Sequence, residues 1–439
     1  MSNNKTYQPI ANSIGVFTAS SVVVANMIGT GVFTSLGFQA AVIDSAFALL
    51  MLWLVGGAIA FCGALAYGEL GAALPRSGGE YHLLGQIYHP AIGFLAGWVS
   101  ATVGFAAPTA LAAVALAKYT TAVFPQLPTN HLAASVVLAF ALIHAHSVRV
   151  GSYFQNFFTA LKLLVVLFFI AAVAFVEHPV PLRLLPTPSD WADLVSAPFA
   201  VSLVYVSYAY TGWNAAIYIA GELQQPQRNL PIALFGSTLL VTLLYTAVNF
   251  VFLYTVPTSD LAGKIEVAFL TGTRIFGSAI GNVLSLLVAL LLLSTVSAMV
   301  FVGPRILKVM GEDYPFLSIL AKVSGRQTPV YAIAFQTVVT LSFIYTASFE
   351  QAMMYTGFVL MLLTSLTVAG VYVLRRRYPL KVLPYRMWGY PITPAIFLLA
   401  NLWILGFVAY EKPMESLVSL LIVAAGLLIY KIGLKQTSA

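Results

Sequence analysis

Asn26-Met27-Ile28-Gly29-Thr30-Gly31-Val32-Phe33 lies at the centre of an apolar run over residues 12–37. The run is long enough to cross a membrane, which takes about 20 apolar residues in a helix. Yet two glycines flank a β-branched threonine at its middle, and each glycine weakens a helix by about 1 kcal/mol relative to alanine. The backbone is expected to unwind there. A second interruption, Tyr208-Ala209-Tyr210-Thr211-Gly212-Trp213-Asn214, sits inside the run at 194–220. Small residues in membrane helices often serve only as packing contacts. The pairing of two breaks near mid-span, five spans apart, says more. An odd number of crossings makes the second block enter the membrane with opposite polarity, and interrupted segments in corresponding positions of two halves point to a carrier's binding site.

The rest of the chain agrees. Of 439 residues only 8% are charged and 60% are hydrophobic, whereas a soluble domain carries about 25% charged residues. Charge-free runs cover 45–68, 194–221, 229–259, 275–304, 327–349, 351–374 and 387–410. They lack the alternation of a β-barrel. Twelve helices are expected, near 12–37, 43–71, 90–117, 131–148, 152–176, 194–220, 230–256, 278–308, 328–347, 351–374, 391–409 and 413–432. The first is too long, and too weakly basic before it, for a cleaved signal peptide.

Basic residues orient the bundle. With the N-terminus cytoplasmic, Lys5, Arg76, Arg149, Arg228, Arg305, Lys308, Lys322, Arg326, Arg375, Arg376, Arg377, Lys381, Arg386, Lys431 and Lys435 fall inside, against Lys118, Arg183, Lys264, Arg274 and Lys412 outside. Both termini are therefore expected in the cytoplasm of a multi-pass protein of the cell membrane. The net charge of +7 is topological, and no basic stripe with interleaved aromatics suggests nucleic acid. Arg375 to Arg377 read as an orientation signal rather than as an anionic-lipid contact. One cysteine, Cys62, gives neither a disulfide framework nor a metal cluster. The six histidines have no ligand spacing, and His144 and His146 read as interfacial. No metal or cofactor is expected.

Unwinding frees N–H groups at one half-helix start and carbonyls at the other half-helix end. The first attract a carboxylate and the second an ammonium group, so an α-amino acid fits both. Lys162 has no topological address. It stands about ten residues, or roughly 15 Å, into its helix, and its burial costs about 2.5–3.5 kcal/mol. It reads as a fixed cation beside the cavity, held by the Gly29 region or by Ser294, Thr295 and Ser297 of the eighth span, leaving no need for sodium. Glu69 reads as structural. Glu80, in the cytoplasmic turn Pro75-Arg76-Ser77-Gly78-Gly79-Glu80-Tyr81, reads as a gate or brace of the inside face.

These segments, with Gly221-Glu222-Leu223-Gln224-Gln225-Pro226-Gln227-Arg228-Asn229-Leu230-Pro231 and Pro384-Tyr385-Arg386, resemble the amino acid–polyamine–organocation superfamily, and within it bacterial relatives of the L-type amino acid transporters. The resemblance covers nearly the whole chain. It implies an all-α integral membrane protein with the leucine-transporter fold. Spans 1–5 (1–176) and 6–10 (177–380) would form a 5+5 inverted repeat, followed by two accessory helices (381–439). It places the substrate carboxylate at Gly29, Thr30 and Gly31. The amine would meet carbonyls at Ile28, Tyr208 and the neighbouring Ala209, with Gly212 in the break. Tyr208 would be an aromatic gate, Asn214 a polar residue beyond the break, and Tyr245 a site-lining residue. Lys162 matches a lysine that occupies the sodium position of coupled relatives. Thr30, where Ser or Ala is usual, and Tyr208, where Phe is common, depart from the pattern.

The expected activity is sodium-independent exchange of neutral L-amino acids by alternating access. Proton-coupled uptake is the alternative on the same fold, and a non-transporting receptor belongs to another class. An enzyme is not expected, since no intramembrane Asp pair, Ser–His pair or metal cluster is present. Without an extracellular-loop cysteine no disulfide-linked subunit is expected, and the chain is expected to work as a monomer.

Overall fold

A computed structural model describes residues 14–146, 152–324, 328–378 and 383–438, without the side chains of 152–156 and 435–438. Lys5, Arg149, Arg326 and Lys381 of the orientation argument lie outside the described residues. The described chain is helical throughout, with one isolated bridge between Ile14 and Leu223.

The first run is two helices, α1 (Val16–Met27) and α2 (Thr30–Ala40), separated by Ile28 and Gly29. α3 (Ala46–Ala73) starts where the Ser45 hydroxyl accepts from Ala48 N, satisfying one of the free N–H groups of a helix start. α4 (Gly79–Ile87) precedes α5 (Pro90–Val99), which runs through a π-helical turn (Ser100–Gly104) into α6 (Ala106–Val123). α7 (Thr129–His146), α8 (Ser152–Ala171) and the short α9 (Pro188–Asp193) follow. α9 is pinned to the start of α3 by Ser45 Oγ, which donates to Asp190 Oδ1 at 2.5 Å. The hydroxyls of Ser45 and Thr187 hold the Asp190 carboxyl below the usual carboxylate range.

α10 (Ala197–Tyr210) ends at the second break and a 3₁₀ segment (Ala215–Glu222) continues it. Then come α11 (Pro226–Thr255), α12 (Thr258–Leu261), α13 (Val267–Asp313), α14 (Ser318–Ala321), α15 (Val330–Thr346), α16 (Phe349–Arg377), α17 (Ile392–Glu411) and α18 (Pro413–Ser438).

Among the described residues nine helices are long and apolar enough to cross a membrane, and α15 is a shorter apolar one. The chain is a multi-pass helical membrane protein. The 14-residue α10 falls outside the nine because the break shortens it. α13 comprises two helices joined at Gly277, whose φ of 81° and ψ of 170° are non-helical, so the second begins at the expected 278 and runs past 308 to Asp313. One sequence expectation changes. The stretch after α3 was read as a turn, but it folds into α4, too short for hydrophobic periodicity to reveal.

At one end of the bundle Glu69 is fully buried. It receives Arg375 Nε at 2.7 Å and Nη2 at 2.6 Å, and Met387 N at 2.7 Å. Arg375 also lies over the Tyr390 ring. Glu69 therefore joins α3, α16 and the approach to α17, as its structural reading requires. Removing one partner of a buried pair leaves the other charge uncompensated. Glu69→Ala is expected to cost about 3–5 kcal/mol, read as a lower melting temperature of the detergent-purified protein, with Glu69→Gln losing less.

Candidate functional site

The two breaks meet. α1 ends at Met27, and Ile28 leaves the helix with φ −72° and ψ 89°. Gly29 precedes α2, whose first turn has no side-chain cap, so side chains leave its first N–H groups without a partner. Gly31 lies so close to α10 that a Cβ would come within 2.4 Å of Ala209 Cα. In the second break Thr211 N closes on Tyr208 O at 3.0 Å. Gly212 adopts φ +107° against the backbone of Asn26, where a side chain would be both strained and obstructed. Tyr245 of α11 is fully buried. Its hydroxyl donates to Met27 O at 2.5 Å and lies 3.2 Å from Ala209 O, so one group serves the ends of both α1 and α10. Trp53 and Tyr210 surround it, with ring centroids 5.5 and 5.2 Å away.

A cavity of about 1610 Å³ opens beside these breaks. Asn26, Gly212, Asn214 and Ser297 line it, and it extends to Phe17 and Glu222 at the start of α1 and the end of the 3₁₀ segment. Ile28, Gly29, Thr30, Gly31, Tyr208, Ala209, Tyr245, Lys162, Ser294 and Thr295 lie behind its walls. The close packing of Gly31 on Ala209 accounts for that separation on the α2 side. The opposite end is filled. Phe38 packs on Tyr205 and Phe349, and Glu350 receives Tyr205 Oη at 2.7 Å and Lys412 Nζ at 3.1 Å. None of these residues lines the cavity.

Lys162 is 4% exposed and donates to Thr295 Oγ1 at 2.9 Å. The two other expected hydroxyls go elsewhere. Ser294 Oγ turns back to Leu291 O at 2.9 Å, and Ser297 Oγ pairs with His144 Nε2 at 3.0 Å. His144, in the last turn of α7, is buried between Phe140 and Phe301. Only its position at a helix end was legible, not its direction. Glu80 is 6% exposed and accepts from Tyr67 Oη at 3.0 Å, Asn214 Nδ2 at 2.5 Å and Tyr218 Oη at 2.5 Å. Asn214, expected beyond the break, is held there by Glu80. Tyr67 and Tyr218 were not separable by composition from the other tyrosines of the chain.

A multi-pass bundle with two helices broken at one cavity is the build of a secondary transporter. The chain belongs to the amino acid permease family, whose model matches residues 14–431. It is 28% identical to the human b(0,+)-type amino acid transporter 1 over 96% of this chain and 88% of that protein. It is 30% identical to the human large neutral amino acids transporter small subunit 2, over 97% and 81%. Identity to the mouse Asc-type amino acid transporter 1 is 27%, over 97% and 81%. The family and these relatives are transporters, not enzymes. The word subunit in the second name bears against the expectation that this chain works as a monomer.

Tyr245→Phe keeps the ring and removes the hydroxyl, leaving the buried Met27 carbonyl short of its donor at a cost of about 1–3 kcal/mol. Amino acid uptake into proteoliposomes is expected to fall roughly tenfold or more with little change in folded yield.

Proposed function

We propose that the protein is a sodium-independent transporter of neutral L-amino acids that works as an exchanger by alternating access. The observation carrying this reading is the meeting of the two breaks. The uncapped start of α2 offers N–H groups for a carboxylate, and the ends of α1 and α10 offer carbonyls for an ammonium group. Ile28, Gly29, Thr30, Gly31, Tyr208, Ala209, Gly212, Asn214 and Tyr245 form the substrate site in this reading. The residues outside the cavity walls join it when the substrate draws α2 and α10 apart. The family and the names of its relatives support an amino acid as cargo.

Sodium independence rests on Lys162. Its ammonium group on Thr295 occupies space between α8 and α13 with a fixed charge, which leaves no place for a second cation. The full topology is twelve spans. Residues 1–176 and 177–380 are inverted repeats and 381–439 is accessory, with both termini cytoplasmic and the cavity opening inward. A second reading is favoured by one observation: no carboxylate among the described residues pairs with Lys162. Proton-coupled uptake would then use the lysine amine as the proton carrier.

Counterflow in proteoliposomes separates these. Exchange predicts accumulation of labelled L-leucine that needs internal amino acid and ignores both sodium and a proton ionophore. Uptake that collapses with the ionophore establishes the second reading, and a sodium requirement rejects the role of Lys162. Lys162→Ala is expected to reduce exchange by about tenfold or more; unchanged kinetics would reject that role as well.

A further inference from the structure

Glu80 is a buried carboxylate for which the transport cycle above has no use. No lysine, arginine or histidine among the described residues pairs with it. A buried charge without a partner is costly, so its three neutral donors must carry the stabilisation. They come from two places. Tyr67 belongs to α3, while Asn214 and Tyr218 flank the start of the 3₁₀ segment that continues the sixth span. The approach is close at backbone level too. A Cβ on Gly79 would lie 2.2 Å from the Tyr218 ring, and one on Gly221 would lie 3.1 Å from Ser77 Oγ. The next residue faces away: Tyr81 Oη donates to Asp313, the last residue of α13.

From Glu80 the contacts lead to the substrate site. Asn214 closes the break, and two residues earlier Gly212 lies against Asn26 near the end of α1. Met27, whose carbonyl accepts from Tyr245, and Ile28 follow directly. We infer that Glu80 is a positioning residue for transport: through Asn214 and Tyr218 it sets the break of the sixth span, and through Gly212 and Asn26 the end of α1. This inference rests on the transporter reading above. Because α4 also holds Asp313 through Tyr81, the second half of the sixth span moves only together with α4 or by releasing Glu80. The grip belongs to the arrangement whose cavity is open, so losing it favours the other arrangement.

The test uses full-length protein in proteoliposomes, with Glu80→Gln, Glu80→Ala and Tyr218→Phe in parallel. Glutamine keeps one acceptor oxygen and loses the other, so it preserves part of the grip. Glu80→Ala is expected to lower the maximal L-leucine exchange rate by about tenfold with KM within about threefold; Glu80→Gln and Tyr218→Phe fall between it and the unmodified protein. The second readout is cavity access. In a Cys62→Ser background carrying Ser21→Cys on the cavity wall, alkylation by a membrane-impermeant maleimide is expected to slow by about threefold or more with Glu80→Ala. Unchanged exchange and unchanged alkylation would overturn the inference. A lower melting temperature with normal alkylation of the folded fraction would overturn it too, reducing Glu80 to a structural part. If the unmodified protein exchanges no amino acid, the transporter reading fails, while the alkylation comparison still decides whether Glu80 sets the break.

Discussion

Peptide groups cannot be left bare inside a bilayer, and each unwound turn exposes several of them. The whole centre of this protein depends on how that demand is met. Tyr245 meets it from a third helix, its hydroxyl donating to Met27 O and lying within reach of Ala209 O. One side chain thereby fixes the ends of two broken helices relative to each other. The aromatic surroundings of Trp53 and Tyr210 exclude water from that contact. What Tyr245 leaves unsatisfied, chiefly the first N–H groups of α2, is the polarity a zwitterion would use.

The two charged groups nearest this centre are held in different ways. Lys162 rests on a hydroxyl of α13, and Glu80 on two phenols and an amide. Neither is neutralised by an opposite charge among the described residues. By contrast, the Glu69–Arg375 pair is bidentate and capped by a backbone amide. It ties elements together without entering the cavity. The Glu69–Arg375 pair serves architecture, whereas the unpaired Glu80 bears on the second break through Asn214.

Much of this was legible in the chain. The unwinding at Gly29 and Gly212 followed from helix propensity, and Lys162 from the absence of any loop that could claim it. Its partner Thr295 was among three hydroxyls named, but periodicity could not choose between them. Rotation of α13 sends Ser297 to His144 and Ser294 back to its own backbone, and such rotation is set by tertiary packing. α4 escaped notice because nine residues hold too few turns for a pattern, and its stability comes from Glu80 and Tyr81 gripping distant helices. The three donors on Glu80 are separated from it by 13 to 138 residues. No local signal encodes that meeting.

Recognition of a zwitterion by two half-helix termini has a simple chemical signature. Equilibrium binding of L-leucine to the purified protein in sodium-free buffer can be set beside binding of its methyl ester and its N-acetyl derivative. The ester lacks the carboxylate and the acetyl derivative lacks the ammonium group, so each strands one helix end without its partner. L-leucine is predicted to bind and each derivative to lose about tenfold or more in affinity, the worth of a charge-assisted hydrogen bond. Either derivative binding as tightly as L-leucine would contradict a substrate site built from the two breaks.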